Sequence, residues 1–174
     1  MRRKIVLLIS LLIVCSCVFA ETLQHTINSQ WKFKKQLTDE DSVDINELNT
    51  KDLESVCLPH TWNSDDTQDI KYGWFRGTGW YVKSLNLRPD AARNLYLHFE
   101  AASLVTKVWV NGQLAGKEHV GGYTPFCYYI SPLIKSGLNT IVVKVNNAHN
   151  EDVNPLSADF NFYGGIYRDV SLIL

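Results

Sequence analysis

Nothing in this sequence repeats apolar residues at the helical period over a useful length, which removes the all-α and α/β classes at the outset. It also lacks low-complexity tracts, internal repeats and Pro- or Gly-rich linkers, so no feature divides it into several domains. Cysteine is scarce: of four, Cys15 and Cys17 lie near the amino end, leaving only Cys57 and Cys127 in the body of the chain. Two thiols do not make a disulfide-dense scaffold, and their pairing cannot be read from sequence. We expect both to be buried and packed as small hydrophobes, with a bridge as the alternative. Beyond the amino end the balance is acidic with no clustered basic face, so the body of the chain does not invite nucleic acid. His25, His98, His119 and His149 are scattered without ligand spacing such as His-x-x-x-His, and neither a zinc site nor any other cofactor is expected.

What is present begins with a leader. Arg2, Arg3 and Lys4 precede an almost unbroken apolar run from Ile5 to Val14, followed by small residues and then by polar Glu21, Thr22 and Gln24. This is the pattern of a secretory signal peptide, and the run is shorter than the ~20 apolar residues of a spanning helix. Two processing routes stay open: Val18-Phe19-Ala20 suits signal peptidase, whereas Val14-Cys15-Ser16-Cys17 resembles a lipobox in which Cys17 becomes lipidated. Either route implies an exported protein, periplasmic or anchored to the outer membrane. Removing residues 1–20 leaves 14 basic against 18 acidic side chains, a formal charge of −4 in place of −1. The remaining residues, 21–174, suffice for one domain with a real core.

Alternation at period two marks the strands. Trp31 and Phe33 alternate with charged Lys32 and Lys34, and Leu95, Leu97 and Phe99 alternate with Tyr96 and His98. Ile141, Val143 and Val145 repeat the pattern. Leu53 to Leu58 reads as a short strand closed by Pro59, after a polar loop with a weak helical turn from Thr38 to Asp52. Lys107 to Val110 runs into Asn111-Gly112, the strongest short-range hairpin signal, so Gln113 to Gly116 is expected to return. Ile166 to Leu174 reads as a last strand, and a chain that stops on an apolar strand leads us to expect further polypeptide. Many short strands with a Trp/Tyr-rich core predict an all-β, antiparallel sandwich of jelly-roll kind.

Certain residue blocks go further. Leu58-Pro59-His60-Thr61-Trp62-Asn63 is followed by Gly77-Thr78-Gly79-Trp80-Tyr81, then by Val108-Trp109-Val110-Asn111-Gly112 and Gly121-Gly122-Tyr123-Thr124-Pro125-Phe126. The series ends with Asp159 to Val170, a stretch that includes Tyr163-Gly164-Gly165-Ile166-Tyr167-Arg168. In this order the blocks resemble the N-terminal, galactose-binding-like domain of family 2 glycoside hydrolases, a family of β-galactosidases, β-glucuronidases and β-mannosidases. The stretch from Leu58 to Tyr81 is most similar to the β-galactosidase branch. The resemblance implies a retaining enzyme whose two catalytic glutamates lie on a (β/α)8 barrel, joined to this domain through an immunoglobulin-like domain. Retention needs carboxyl groups about 5 Å apart, and a barrel needs about 250 further residues. No block here resembles the barrel's, so we assign no catalytic residue to this chain. We expect it to be inactive alone, and its partners to be those missing domains and a β-galactoside or related glycan.

The resemblance also implies two substrate-binding residues. Asp159 matches an aspartate that reaches into the active site and accepts hydrogen bonds from the non-reducing sugar; otherwise it orders its own loop as an Asx turn. Asn63 matches a position whose amide both donates to and accepts from a hydroxyl, and its alternative is a turn residue with left-handed φ. His60 has no nucleophile or orienting group near it in sequence and is expected to be structural, bonded to backbone. Gly73 to Gly79 looks like a phosphate loop but leads into a strand rather than a helix, so its glycines serve turns. Trp74 and Phe75 are either core residues or a stacking surface for sugar. Arg168 is expected to pair with a carboxylate, in another domain or locally with Asp169. The rivals to all of this are a free-standing carbohydrate-binding module and a structural or adhesive sandwich with no sugar site.

Overall fold

The structure, a computed structural model, describes residues 22–36, 52–64, 66, 74–153 and 162–174. The leader, nearly all of the polar stretch from Thr38 to Asp52, Gly73 and Asp159 lie outside these residues.

Among the described residues there are eleven strands: β1 (Gln24–Thr26), β2 (Trp31–Gln36), β3 (Glu54–Val56), β4 (Thr78–Leu87), β5 (Tyr96–Phe99), β6 (Val105–Val110), β7 (Gln113–Leu114), β8 (His119–Val120), β9 (Phe126–Tyr129), β10 (Gly137–Asn146) and β11 (Val170–Ile173). They form two antiparallel sheets, one in the order β1-β11-β5-β9 and the other β3-β2-β4-β10-β6-β7, with β8 also on β6. The all-β antiparallel sandwich expected from the alternation is therefore the fold.

The two sheets close on a core that the alternation foretold. Along β6 every second residue is buried, and Trp31, Phe33, Tyr81, Leu97, Phe99, Val143 and Val145 lose essentially all contact with solvent. Each such side chain contributes about 1.5–3 kcal/mol of burial. β4 departs from simple alternation: Gly79 to Lys83 are buried without a break. Its second face, through Trp80 and Val82, packs with Leu53 and Val142 in a smaller cluster outside the sandwich, where the Trp80 and Trp109 rings stack at 5.9 Å.

The hairpin at Asn111-Gly112 forms, with φ of 52° and 81° at the two residues, as its turn type requires. Its return strand is shorter than expected and stops at Leu114. The last strand is shorter as well. Residues 165–169 are drawn out of the sheet: Gly165 bridges to Ser103, the Ile166 N–H bonds the Tyr81 hydroxyl at 3.4 Å, and Asp169 accepts from Asn28 at 2.8 Å. Only from Val170 does the chain pair with β5.

The cysteine expectation fails. Cys57 and Cys127 are free thiols and both are exposed. In β9, Phe126 and Tyr128 sit inward of the neighbours they alternate with, so parity turns Cys127 to the outside, opposite His98.

One glycine is set by close approach. A Cβ on Gly79 would lie 2.5 Å from the Trp62 ring and 2.8 Å from that of Phe33, two rings stacked at 5.8 Å. Gly79→Ala should therefore destabilise the fold by about 1–3 kcal/mol, the range for overpacked cores, read as a lower urea midpoint. An unchanged or raised midpoint would show that the stacked pair yields freely.

Candidate functional site

At one end of the sandwich, the segment His60–Asn63 is laced to residues 164–166. The His60 N–H donates to the Ile166 carbonyl at 2.8 Å, the Trp62 N–H to Gly164 at 3.3 Å, and the Thr61 hydroxyl to the same Gly164 carbonyl at 2.9 Å. Gly164 has to be glycine here, because a Cβ would fall 2.1 Å from the Trp62 indole and 2.6 Å from the Asn147 amide.

Two buried amides complete the lacing. Asn63 is fully buried: its oxygen accepts from the Gly164 N–H at 2.7 Å and from Asn147 Nδ2 at 3.3 Å. Its Nδ2 donates to Asp66 Oδ2 at 2.5 Å and to the Phe75 carbonyl at 2.8 Å. Asn147, just past β10, accepts from the Gly77 N–H at 2.8 Å and donates to the Phe162 carbonyl at 3.0 Å. The Phe75 N–H then closes on Asp66 Oδ2 at 3.0 Å. Three separate stretches, 60–63, 74–77 and 162–164, are so held together with the end of β10.

These partners bear directly on the sequence reading of Asn63. An amide offers two donors and two acceptor positions, and all of them are taken inside the protein. A sugar hydroxyl reaches this side chain only by displacing an internal bond. Nor is left-handed φ its role, since positive φ at non-glycine residues falls on Gln30 and Asn111 among the described residues. Asn147 and Asp66 were missed in the sequence. The available signal was an asparagine directly after an alternating strand and a carboxylate three residues beyond Asn63, neither specific without the fold.

His60 is structural, though not as expected. Its Nδ1 lies 2.8 Å from the Tyr81 hydroxyl, and its ring packs on Phe33 at 4.6 Å. Burial, with Lys35 nearby, holds its pKa below the usual 6.5, and burial raises that of Tyr81. A neutral imidazole is thus paired through Nδ1 with a protonated phenol inside the protein. Around the network runs an aromatic rim. The Trp74 indole donates to the Phe162 carbonyl at 3.2 Å and meets the half-exposed Tyr163 edge to face at 5.0 Å. The Arg76 guanidinium lies 4.7 Å from the Phe162 ring. Phe75 instead packs against Trp62 at 6.5 Å. Arg168 is exposed and lies 5.9 Å from the Tyr167 ring; among the described residues it forms no ion pair, and Asp169 is bonded to Asn28. Asp159 falls in the segment between Val153 and Phe162, outside the described residues.

Two expectations follow. Asn63→Ala leaves the buried Gly164 N–H without its acceptor and frees Asp66, and should cost about 2–4 kcal/mol in chemical denaturation. Asn63→Asp should be no better, because it replaces a donor with a carboxylate beside Asp66. A loss below about 0.5 kcal/mol for both would show that the network is not a tie. For His60, folding lowers the pKa, so the unfolded chain takes the extra proton first. The stabilisation is complete above pH 6.5 and declines as pH falls from there through the folded pKa. His119, lowered by burial in the same sense, adds to that decline. Denaturation midpoints of His60→Gln should therefore fall less steeply with acidification than those of the wild type; equal slopes would remove His60 from the acid response.

Over residues 24–174 the chain matches the family described as glycosyl hydrolases family 2, sugar binding domain. It is 36% identical over 166 residues to a β-glucuronidase of Bacteroides fragilis, covering 94% of this chain and 22% of that protein. It is also 36% identical over 151 residues to a β-galactosidase of Thermoanaerobacter pseudethanolicus, covering 83% of this chain and 20% of the relative. Among solved structures, the Bacteroides uniformis β-glucuronidase aligns with a TM-score of 0.75 at 36% identity, over 88% of this chain and 18% of that one. The chain thus spans about a fifth of the length of these relatives. With its fold and its sequence in agreement, this chain belongs to glycosyl hydrolases family 2 as the sugar binding domain of that family.

Proposed function

We propose that this chain is the N-terminal domain of an exported, retaining β-glycosidase and that it forms one wall of the pocket for the non-reducing sugar. Bond cleavage belongs to a (β/α)8 barrel on further polypeptide, with an immunoglobulin-like domain between the two. The observation that carries the reading is the anchoring of Phe162 and Gly164 on Asn147 and Asn63. It gives a fixed root to the segment bearing Asp159, and a substrate contact is only as selective as the support beneath it. In this reading Asp159 accepts hydrogen bonds from sugar hydroxyls, each worth about 1.5–3 kcal/mol for a charged acceptor. Asn63 serves the same pocket chiefly by positioning.

The glycone has two readings. The block from Leu58 to Tyr81 favours a β-galactoside, whereas the two Bacteroides relatives named as β-glucuronidases favour a β-glucuronide. Aryl β-galactoside and aryl β-glucuronide, offered to the full-length enzyme, decide between them. Export rests on the leader; the first residue of the secreted protein is Glu21 if signal peptidase cuts and a lipidated Cys17 if the lipobox is used.

The 174-residue chain alone should hydrolyse neither substrate. Turnover abolished by a point mutation within it would overturn this. In the full-length enzyme, Asp159→Ala should lower kcat/KM about tenfold to 150-fold on the preferred glycoside, with little effect on a deoxy analogue lacking the contacted hydroxyl and no change in Tm. Lost thermal stability with parallel kinetics on both substrates would make Asp159 a loop-ordering residue. Measurable glycan affinity of the isolated chain on an array would favour the free-standing module.

A further inference from the structure

At one end of the four-stranded sheet Gln24, Ile173, Tyr96 and Tyr129 stand side by side across its strands. Past that row Leu174 is tied to Leu23 in both directions, donating to its carbonyl at 2.8 Å and accepting from its N–H at 3.0 Å. Here lies a cavity of about 390 Å³ whose walls include Pro89, Leu95, Tyr129, Pro132, Ile134 and Leu174. Leu95 and Ile134 are partly buried against the main core, so the floor of the cavity is the core itself. The Tyr129 side wall is 46% exposed.

The volume falls within the range of about 300–1,000 Å³ of small-molecule sites, but the lining does not suit a ligand rich in hydroxyls. Two of the walls are prolines, which have no N–H to donate. The polar groups among them are occupied within the chain. The Tyr129 hydroxyl donates to Asn94 Oδ1 at 3.3 Å, and Ser131 Oγ accepts the Leu95 N–H at 2.7 Å. Asp90 accepts the Ala92 N–H at 2.9 Å on one oxygen and has Arg93 Nε 3.9 Å from the other. What the cavity leaves unsatisfied is apolar surface continuous with the core, and apolar side chains are what would cover it.

We propose that this cavity seats apolar side chains of the polypeptide continuing from Leu174 in the full-length enzyme, and so fixes this domain against the next. The proposal rests on the reading above in which a barrel lies on further polypeptide. Two observations favour this occupant over a second copy of the chain. Leu174 is itself a wall, so residues joined to it begin at the mouth and reach the cavity at the high effective concentration of a tethered segment. The chain also spans about a fifth of the length of its relatives, which leaves ample polypeptide outside this domain to supply the contact.

The test is hydrogen exchange read by mass spectrometry on the 174-residue chain and on the full-length enzyme. Segments 88–95 and 129–134, which carry most of the lining, should exchange about tenfold more slowly in the full-length enzyme. Ala91 lines the cavity from an exposed turn, so Ala91→Arg sets a long charged side chain at the seat without opening the core. That change should abolish the slowing in the full-length enzyme and leave the urea midpoint of the 174-residue chain unaltered. Intact mass shows separately whether the encoded protein continues past Leu174, so a failure of the seat is told apart from a failure of the reading beneath it. The proposal is overturned if the two proteins exchange equally fast over these segments, or if Ala91→Arg leaves the slowing in place. It is overturned as well if the slowing already occurs in the 174-residue chain and grows with its concentration, which would make the occupant a second copy.

Discussion

The bond from the Gly164 N–H to the Asn63 side chain, 2.7 Å long and sealed from solvent, is the constraint on which this end of the molecule depends. Segment 162–169 crosses from one sheet towards the other, and a chain making such a crossing leaves backbone groups without ladder partners. Buried and unpaired, each costs about 1–3 kcal/mol. Asn63 and Asn147 supply the missing partners from side chains, and their requirement for closeness dictates a glycine at 164. The Trp62 indole lies against that glycine and against Phe33, so the polar tie is clamped by the same aromatic stack that begins the core.

The choice of amides over charges is physically consistent. Asn63 bonds a backbone N–H, a backbone carbonyl, another amide and a carboxylate, and only a group that both donates and accepts can serve all four. A carboxylate at that position has no donor for the Phe75 carbonyl, and an ammonium has no acceptor for Gly164. The one charged member, Asp66, takes two donors on the same oxygen, from Asn63 and from the Phe75 N–H. His60 follows the same logic one layer down: kept neutral by burial and Lys35, it satisfies Tyr81 without bringing a second charge into the core.

Much of the fold was legible because alternation is a local signal. Trp31 and Phe33, Leu97 and Phe99, and Ile141 to Val145 face inward as their period requires, and Asn111-Gly112 turns the chain as that pair does elsewhere. What was not legible depends on partners distant in sequence. Cys127 was assigned by residue type to the interior, where parity along β9 sends it outward. The apolar look of Ile166 to Leu174 hid a crossing that, with Gly165 before it, is bonded to Tyr81, Ser103 and Asn28, residues 62 or more positions away in the sequence. Asn63 was read as a sugar-contacting amide or a turn residue, and sequence could not show that its amide is already filled inside the protein. Lys83 is the extreme case: a lysine on an otherwise apolar face, buried with its ammonium on the Ser29 carbonyl, and nothing in its neighbourhood announces it.

β10 joins these parts. At its far end Asn139, also fully buried, ties Asn111 of the hairpin to the Lys135 carbonyl, and at its near end Asn146 and Asn147 part to opposite sides. The middle of the strand is Ile141 to Val145, with Val142 packed outward and its neighbours inward, so both faces of the sheet are fixed by the same five residues. An amide next to the end of a strand buried on both sides has little freedom to move. The network at Asn147 is therefore held from below by the sheet and from the side by Gly77 and Phe162.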